Sequence, residues 1–372
     1  MRELAVVHTN TFRQFARRNG MKPLDVPDSG NPLTQSPAVP VVRGGQIGRL
    51  GPMKLSNLAR VVVHLDEAIV RGRRLSTIWK NALLPTGYAH SLNWIQEGAF
   101  TPSPDGMRCL WPATNMIDLE GDQSTCLIGV TAHFGHFFTD CLDRIFSFEH
   151  ANVAGPVRYL VDGAPPPQVT ELMALLGVPC TPSNMVALDP ALDYRVKNLH
   201  VASLGAAKPA ITTASFRTLR ERVLGRLPNP RPLGRMVYVG RKLVPQRKVR
   251  NQHELDQTLA AMGFHIFYPE IHSIEEAVGA FHGADVIAFV IGSSKFNLAF
   301  CRPGTRIICI APEGYAEHAG PVATMTRQLC EIFSLELCFF SSKIVDENRA
   351  INSDIVVELA DLAMALRVLL QS

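Results

Sequence analysis

The stretch that decides the fold begins with Arg235-Met-Val-Tyr-Val-Gly-Arg241 and ends with Arg306-Ile-Ile-Cys-Ile-Ala-Pro312. Within it, apolar runs of about five residues alternate with segments of about ten residues that have a helical pattern. The predicted strands are 236–239, 264–268, 285–290 and 306–311, and the predicted helices are 251–263 and 273–282. This alternation predicts β-α-β units on a parallel sheet, and therefore an α/β protein.

Small and cationic residues follow two of these strands. A basic arm comes after the first strand and contains Arg241, Lys242, Arg247, Lys248 and Arg250. A turn of small residues, Gly292-Ser-Ser294, comes after the third strand and precedes a short helix. Ligands of open parallel sheets bind at the carboxyl ends of the strands. We therefore expect this half of the chain to hold a phosphorylated ligand.

Composition and charge limit the classes of protein to which the chain can belong. Its 372 residues are enough for two domains of ordinary size, and 47% are hydrophobic, as in a globular protein with sizeable cores. The net charge of +4 is too small for a protein that binds duplex nucleic acid. It is compatible with anionic substrates and with loose attachment to an anionic membrane surface. No apolar run approaches the roughly eighteen residues of a membrane span.

Residue patterns exclude further classes. The 8 cysteines are scattered without a C-x-x-C pair, so we expect buried, reduced thiols in a cytosolic protein. No D-x-D motif stands at a strand end and no ligand cluster has metal spacing, so no metal is expected. A Rossmann dehydrogenase is disfavoured because no G-x-G-x-x-G follows a strand.

The patterning divides the chain into an arm and two domains. Residues 1–50 are weakly patterned and are predicted to be an N-terminal arm, in which Phe12–Arg18 is either a membrane-touching helix or a docked one. A Pro-rich stretch at 228–232 separates two patterned halves. The predicted domains are 51–228 and 229–372. The last helix, predicted at 355–370, is a candidate to pack back on the first domain.

A second notable stretch, Phe134–His150, predicts a helix. An apolar stripe runs along one side of it. His136, Asp140 and Arg144 recur at i, i+4 and i+8 and form a separate polar stripe. His136 and Asp140 therefore lie one turn apart on one face, where they can act together.

These stretches together resemble family 61 of the glycosyltransferases. Phe134-Gly-His-Phe-Phe-Thr-Asp-Cys-Leu-Asp-Arg144 is similar to the family segment G-H-W-x-x-D-x-x-x-R. Tyr238-Val-Gly-Arg241 and Asn251-Gln-His-Glu-Leu255 are similar to its aromatic-x-S-R strand and its N-E-x-E-L helix start. Residues 284–297 and 302–308 follow in the family's order, similar to A-x-x-h-V-G-x-H-G-A-x-h-x-N and P-P-G-T-x-h-I, where h is apolar.

The resemblance implies a GT-B architecture, in which two Rossmann-like domains with parallel sheets face each other across a cleft. It implies an inverting, metal-independent transfer of a hexose or pentose from a nucleotide sugar, which we expect to be a UDP-sugar. The expected acceptor is a glycan or lipid-linked glycan in bacterial surface polysaccharide or capsule synthesis. The expected location is the cytoplasm, at the inner face of the membrane. Neither a cofactor, beyond the sugar nucleotide as co-substrate, nor a nucleic-acid partner is expected.

A departing diphosphate can be stabilised by arginine forks and by the N–H groups of a helix start. The residues expected to bind the donor are Arg241, Arg247, Gly292, Ser293, Ser294, Lys295 and Asn297. Further site candidates are Arg144, Lys242, Glu313 and Tyr315. Structural alternatives stay open. The arm can be a solvated basic loop, and Ser293 or Ser294 can be the N-cap of the short helix. Asn251 and Glu254 can form a capping box.

Inverting transfer also needs a base for the acceptor hydroxyl. Asp140 is the first choice, with His136 orienting it or contacting the acceptor, and the reverse assignment stays open. A structural histidine beside an Asp140–Arg144 pair is the alternative. His133 and Asp143 are further possibilities for the base.

Two positions depart from the family pattern. Ile291 stands where the family has the histidine of its turn, and Gly240 stands where a serine precedes the strand-end arginine. Both positions lie on the donor side of the expected site. A second interpretation is therefore a catalytically inactive sugar-nucleotide-binding or assembly protein of the same fold.

Overall fold

The structure is a computed structural model. It describes residues 2–7, 12–26, 35–54, 60–72, 75–84, 101–103, 107–111, 114–129, 134–153, 155–178, 181, 183–203, 211–244, 247–316, 321–346 and 352–371. The chain divides into two compact units. The first unit is Met1–Gly30 with Asn57–Ala207, and the second is Asn31–Ser56 with Lys208–Ser372. Residues 31–56, which were predicted to lie in the arm and at the start of the first domain, thus belong to the second unit.

The strands follow one another along the chain in both units. They are β1 (Arg2–Val6), β2 (Leu24–Val26), β3 (Gln35–Ser36), β4 (Val39–Arg43), β5 (Gln46–Leu50), β6 (Met53–Lys54), β7 (Arg60–Arg71), β8 (Ser76–Trp79), β9 (Ala82–Leu84), β10 (Thr101–Pro102), β11 (Arg108–Trp111), β12 (Asn115–Asp118), β13 (Ser124–Gly129), β14 (Val157–Val161), β15 (Met185–Ala187), β16 (Leu192–Ala202), β17 (Met236–Val239), β18 (His265–Phe267), β19 (Val286–Val290), β20 (Arg306–Pro312), β21 (Glu336–Ile344) and β22 (Ile355–Val356).

Helices connect many of these strands. Helix α2 has three parts, an α-helical turn Phe134–His136, a π-helical turn Phe137–Cys141 and an α-helix Leu142–His150. The other α-helices are α1 (Phe12–Arg18), α3 (Pro167–Leu176), α4 (Thr213–Arg226), α5 (Gln252–Ala261), α6 (Ile274–Gly283), α7 (Pro321–Ile332) and α8 (Leu359–Gln371), and the 3₁₀ helices are Pro269–Ile271 and Ser293–Phe300.

The second unit contains the predicted parallel sheet. Its strand order is β18-β17-β19-β20-β21-β4-β5, and every neighbouring pair from β18 to β4 is parallel. Every residue of β19 is buried, as expected for a parallel strand covered on both faces. Strand β4 joins the far side of β21, and β5 turns back antiparallel to β4. The predicted α/β class is confirmed.

The sheet of the first unit is mixed, whereas the prediction was a parallel sheet. Strands β13, β14 and β15 are parallel neighbours that α2 and α3 connect, and β16 lies parallel to β13 on the other side. Strand β7 pairs antiparallel with β16 and with β8, which in turn pairs antiparallel with β9. Short turns can join only antiparallel strands, which explains the pairs β7–β8 and β8–β9, while the pairing of β7 with β16 is long-range.

The terminal helices pack on the units that contain them. The Phe12 and Ala16 side chains of α1 are fully buried in the core of the first unit. Of the two interpretations of this helix, the docked one therefore agrees with the structure. Helix α8 contributes Leu362, Ala365 and Leu366 to the core of the second unit, where it packs on α5.

Two expectations from the sequence concern membrane-spanning helices and the state of the cysteines. Within the described ranges, no helix is both long and apolar enough to cross a membrane. The cysteines found there are buried and form no disulfide: Cys109, Cys126, Cys141, Cys301, Cys309, Cys330 and Cys338. Cys180 lies outside the described residues.

Candidate functional site

The polar stripe of α2 passes through the π-helical turn. Asp140 lies in this turn, and His136 lies in the helical turn that precedes it. Single π turns within α-helices are frequent at functional sites, because the extra residue re-aims the side chains of the turn. The apolar neighbours Phe137, Phe138 and Cys141 are buried, and they anchor the turn in the first unit.

His136 and Asp140 form the predicted pair. The imidazole Nδ1 lies 3.0 Å from the Asp140 Oδ2, and the Thr139 hydroxyl donates to the same oxygen over 3.3 Å. The His136 side chain is 38% exposed, whereas that of Asp140 is 6% exposed. The imidazole therefore faces outward and the carboxylate lies behind it. In such a pair the carboxylate selects the imidazole tautomer and fixes the direction of the ring.

Arg144 connects α2 to the end of β13. Its Nη1 donates to the Ile128 carbonyl over 2.9 Å, and the side chain is almost completely buried. A Cβ atom at Gly129 would lie 2.6 Å from this nitrogen, and Gly129 has a φ of +127°. Glycine is required here by both the backbone conformation and the close approach. Gly129 was not among the residues predicted from the sequence, although its position at the end of a strand just before the 134–144 motif could have indicated it.

Asp143 and His133 were the further candidates for the base. Asp143 is buried and faces Arg60, whose Nη1 lies 3.8 Å from the carboxylate. The Asp143 carbonyl accepts a hydrogen bond from Ser147 over 2.6 Å. The Arg60 contact ties the helix to β7 and indicates a structural role for Asp143. His133 lies outside the described residues.

In the second unit, Arg241 and Gly292 meet at the carboxyl edge of the parallel sheet. Arg241 follows β17, and Gly292 follows the neighbouring strand β19. A Cβ at position 292 would stand only 1.6 Å from the Arg241 Nη1. Because Gly292 has extended backbone that any residue adopts, the close approach of the guanidinium is what requires glycine. The predicted side-by-side placement of the arm and the turn is thus present.

Lys295 lies in the same region and is almost completely buried. Its Nζ lies 3.5 Å from the Gly292 carbonyl and 4.1 Å from the centre of the Phe296 ring. Burial, and then the nearby charges of Arg247 and Arg241, lower the pKa of Lys295 to about 7. Burial and the charge of Arg247 likewise lower the pKa of Arg241 to about 10. We call Arg241, Arg247 and Lys295 the cation cluster.

Buried polar atoms accompany the cation cluster. The Ser294 Oγ and the Asn297 Oδ1 belong to the 3₁₀ helix that carries Lys295, and Tyr315 follows β20 and interacts with Arg247. Among the described residues, the Ser294, Asn297 and Tyr315 side-chain oxygens have no hydrogen-bond partner. Buried polar groups are normally paired, so such atoms require an explanation. A polar ligand bound beside the cluster provides one.

Glu313 and Lys242, which were also predicted for the donor site, contact residues outside the cluster. Glu313 pairs with Arg43 of β4. Lys242 is exposed, with its Nζ 5.5 Å from the centre of the Tyr268 ring. Gly292 is the N-cap of the 3₁₀ helix, so the interpretation of Ser293 or Ser294 as its N-cap is wrong.

The capping-box interpretation of Asn251 and Glu254 is also wrong. The side chain of Asn251 makes no capping hydrogen bond at the start of α5. It instead exchanges hydrogen bonds with the backbone of Val357. A complete capping box occurs at α6, where Ser273 and Glu276 satisfy each other's backbone N–H groups.

The departure at Gly240 has a packing cause. A Cβ at this position would lie 2.6 Å from the Cε1 of Tyr268, so the tyrosine ring fills the space of a side chain. Tyr268 is held there because its hydroxyl donates to Asp256, which also accepts from Gln252. Glycine at 240 and tyrosine at 268 thus depend on each other.

We expect Gly240→Ser to lower the free energy of unfolding by about 1–3 kcal/mol, because the serine overlaps the Tyr268 ring. Urea denaturation measures this loss. The same serine in a Tyr268→Ala background should cost less, since the ring that it meets is gone. Gly51→Ser is the control, because nothing lies within 4 Å of a Cβ at that exposed position. Equal losses in both backgrounds would contradict the packing explanation.

We expect Lys295→Met to raise the free energy of unfolding at neutral and lower pH. The Lys295 pKa falls from 10.5 to about 7 on folding, so burying the cation destabilises the folded state most where both states are protonated. The advantage of methionine should therefore be greatest below pH 7 and fade as the pH rises toward 10.5. Urea titrations across this range measure it. Lys343→Met, at an exposed lysine paired with Glu358, should show no such gain.

The chain matches a family of known proteins over a segment that contains residues of both candidate groups. Among the described residues, no group of three or more His, Cys, Asp and Glu side chains is arranged to hold a metal ion. No curated protein matches the chain. The family model described as Glycosyltransferase 61 matches residues 134–308, a range that includes both α2 and the cation cluster. The predicted family is therefore confirmed, and the segment 134–308 belongs to the glycosyltransferase 61 family.

Proposed function

We propose that the protein is an inverting, metal-independent glycosyltransferase that uses a nucleotide sugar, expected to be a UDP-sugar. The observation that carries this proposal is the cation cluster at the carboxyl edge of a parallel sheet, within a segment of glycosyltransferase family 61. Three cations buried near one another lose hydration and repel one another, which destabilises the folded state, so their presence together favours an anionic ligand. A diphosphate has the charge and the oxygen atoms that such a group of donors binds.

The cluster has a direct role in the proposed reaction. As the bond from the sugar C1 to the phosphate oxygen breaks, negative charge grows on the departing nucleoside diphosphate. Arg241, Arg247 and Lys295 are already in place to stabilise that charge, which makes them effective in the transition state. In this proposal they supply the positive charge that a divalent ion supplies in other transferases. Ser294, Asn297 and Tyr315 offer neutral hydrogen bonds to the rest of the donor.

The acceptor hydroxyl must lose a proton as its oxygen bonds to C1 from the face opposite the diphosphate, which inverts the configuration. The exposures of His136 and Asp140 support the second of the two assignments from the sequence. The outward imidazole takes the proton, and the buried carboxylate holds the ring and stabilises the imidazolium that forms. Asp140 thus acts on the reaction through His136.

The experiment is a panel of labelled UDP-hexoses and UDP-pentoses, offered to the pure protein with glycan and lipid-linked glycan acceptors. We expect one donor to be transferred by the wild type, and donor binding without transfer by Asp140→Asn. The anomeric configuration of the product reports inversion, and a chelator should leave the rate unchanged. A protein that neither binds nor turns over any sugar nucleotide would refute the proposal.

The second candidate is a binding or assembly protein that has lost turnover. Ile291 favours it, because this residue occupies the position of the family histidine and its side chain is completely buried. Tight UDP binding without transfer to any acceptor would support this candidate. For either candidate we propose a place in bacterial surface polysaccharide synthesis, in the cytoplasm and near the membrane.

A further inference from the structure

Arg247 has a backbone conformation that needs support. Its φ is +56°, in the left-handed region that residues other than glycine seldom adopt. Arg247 belongs to the part of the basic arm, 247–251, that leads into α5. A left-handed arginine persists only where the surrounding structure determines it. The contacts of the arm therefore decide where this guanidinium lies.

A segment near the C-terminus, 353–357, runs beside the arm, and we call it the clamp segment. Val249 and Ile355 form a parallel bridge. The Arg250 N–H donates to the Ile355 carbonyl over 2.8 Å, and the Ile355 N–H donates to the Lys248 carbonyl over 2.9 Å. These bonds hold the residues that directly follow Arg247.

Asp354 adds a buried carboxylate to this contact. Its residue is 8% exposed. One carboxylate oxygen accepts from the Lys248 N–H over 2.9 Å, and the other lies 2.9 Å from the Arg250 Nη2. The first bond fixes the peptide that joins Arg247 to Lys248. It therefore acts on the backbone at the point where the chain leaves the left-handed conformation.

Asn251 closes the other end of the arm. Its Nδ2 donates to the Val357 carbonyl over 2.8 Å, and its Oδ1 accepts from the Val357 N–H over 3.0 Å. Only an amide side chain can serve a carbonyl and an N–H in this way. An aspartate would keep the acceptor and lose the donor.

The clamp segment is itself tied to the sheet. Ile355 and Val356 of β22 pair with the end of β21. The Ser353 Oγ accepts from the Val345 N–H over 3.2 Å and from the Asp346 N–H over 2.8 Å. Strand β21 neighbours β20, after which Tyr315 interacts with Arg247. The clamp segment thus links the arm to the same sheet edge that carries the cation cluster.

We propose that Asp354 and Asn251 are positioning residues for the donor site, which hold the arm so that the Arg247 guanidinium stays in the cation cluster. This inference rests on the proposed function of the cluster as a diphosphate site. Neither residue contacts the cluster itself. Each acts through the backbone of the arm.

Binding of UDP, measured by calorimetry, tests the inference. We expect Asp354→Ala and Asn251→Asp each to weaken UDP binding about tenfold. This factor corresponds to the loss of one ordinary charged contact in the donor site. Because Asp354 acts through Arg247, the double variant Arg247→Ala/Asp354→Ala should bind no more weakly than Arg247→Ala alone. Asp354→Asn, which keeps an acceptor for the Lys248 N–H, should recover part of the affinity. Glu358→Ala, which breaks a surface ion pair just beyond the clamp segment, should have no effect.

Hydrogen exchange without ligand separates the inference from the proposed function. In Asp354→Ala, the amides of Lys248 and Arg250 should exchange at least about tenfold faster, while those of β19 keep their protection. Unchanged exchange in the arm, or losses of affinity that add to those of Arg247→Ala, would overturn the inference. If the wild type binds no UDP although the arm loosens as expected, the donor function fails and the clamp segment is only structural, which overturns the inference as well.

Discussion

Asp140→Asn is expected to lower kcat by about 10²- to 10⁴-fold and to leave the Kd of the donor unchanged, as for the loss of general base catalysis. Asparagine has the size of aspartate, so the π-helical turn should keep its shape. It lacks the charge that holds the His136 imidazole, 3.0 Å away, and that stabilises the imidazolium during proton transfer. The cation cluster belongs to the second unit, so the substitution does not alter its residues. Steady-state kinetics measures kcat, and calorimetric titration of the sugar nucleotide without acceptor measures the Kd.

The size of the loss relative to His136→Gln identifies the base. If His136 takes the proton, its replacement should cost at least as much kcat as Asp140→Asn. A larger loss for Asp140→Asn would instead assign the proton to the carboxylate. His150→Gln, at the exposed end of the same helix, is the matched control and should keep full activity. Loss of donor binding in Asp140→Asn would contradict the assignment of separate roles.

Arg241→Ala is expected to weaken binding of the donor and of UDP by about 10- to 100-fold, the value of one charged hydrogen bond in a buried site. The guanidinium lies against Gly292, so it is held at the helix start where the diphosphate is proposed to bind. Arg241→Lys should recover little, because an ammonium cannot donate as a planar fork. Calorimetry with UDP measures the affinity, and the loss should shrink as salt concentration rises.

Arg235→Ala is the matched control for Arg241. Arg235 immediately precedes the same strand at its other end, where its exposed side chain pairs with Asp285. Its removal should leave the affinity for UDP unchanged. An equal loss in both variants would indicate a general effect of charge. A fall in kcat with unchanged binding in Arg241→Ala would place this arginine outside the ground-state donor complex.

The sequence predicted those parts of the site that depend on local patterns. Alternation of short apolar runs and amphipathic segments in 235–312 identified the parallel sheet, and the carboxyl ends of its strands placed Arg241 beside Gly292. The spacing of His136 and Asp140 predicted their contact in the same way. In each case the residues are close in sequence or lie on elements whose geometry is regular.

Other features were missed because they depend on residues far apart in the chain. Strand β4 extends the second sheet by pairing with β21, roughly three hundred residues later. The side chain of Asn251 bonds to Val357 and does not cap its own helix, since a tertiary partner competes with the local one. The mixed sheet of the first unit arises from long-range pairing of β7 with β16.

By itself, the sequence determined the family of segment 134–308 and the α/β class, and it predicted the residue types of both candidate sites. Periodicity, turn residues and motif order are properties of the sequence itself, so they can be identified before the fold is known. Only the tertiary structure decided which of the paired residues faces outward, why Gly240 and Gly292 lack side chains, and what holds Arg247 in place. These depend on burial and on approaches of less than 4 Å between distant segments, which are properties of packing.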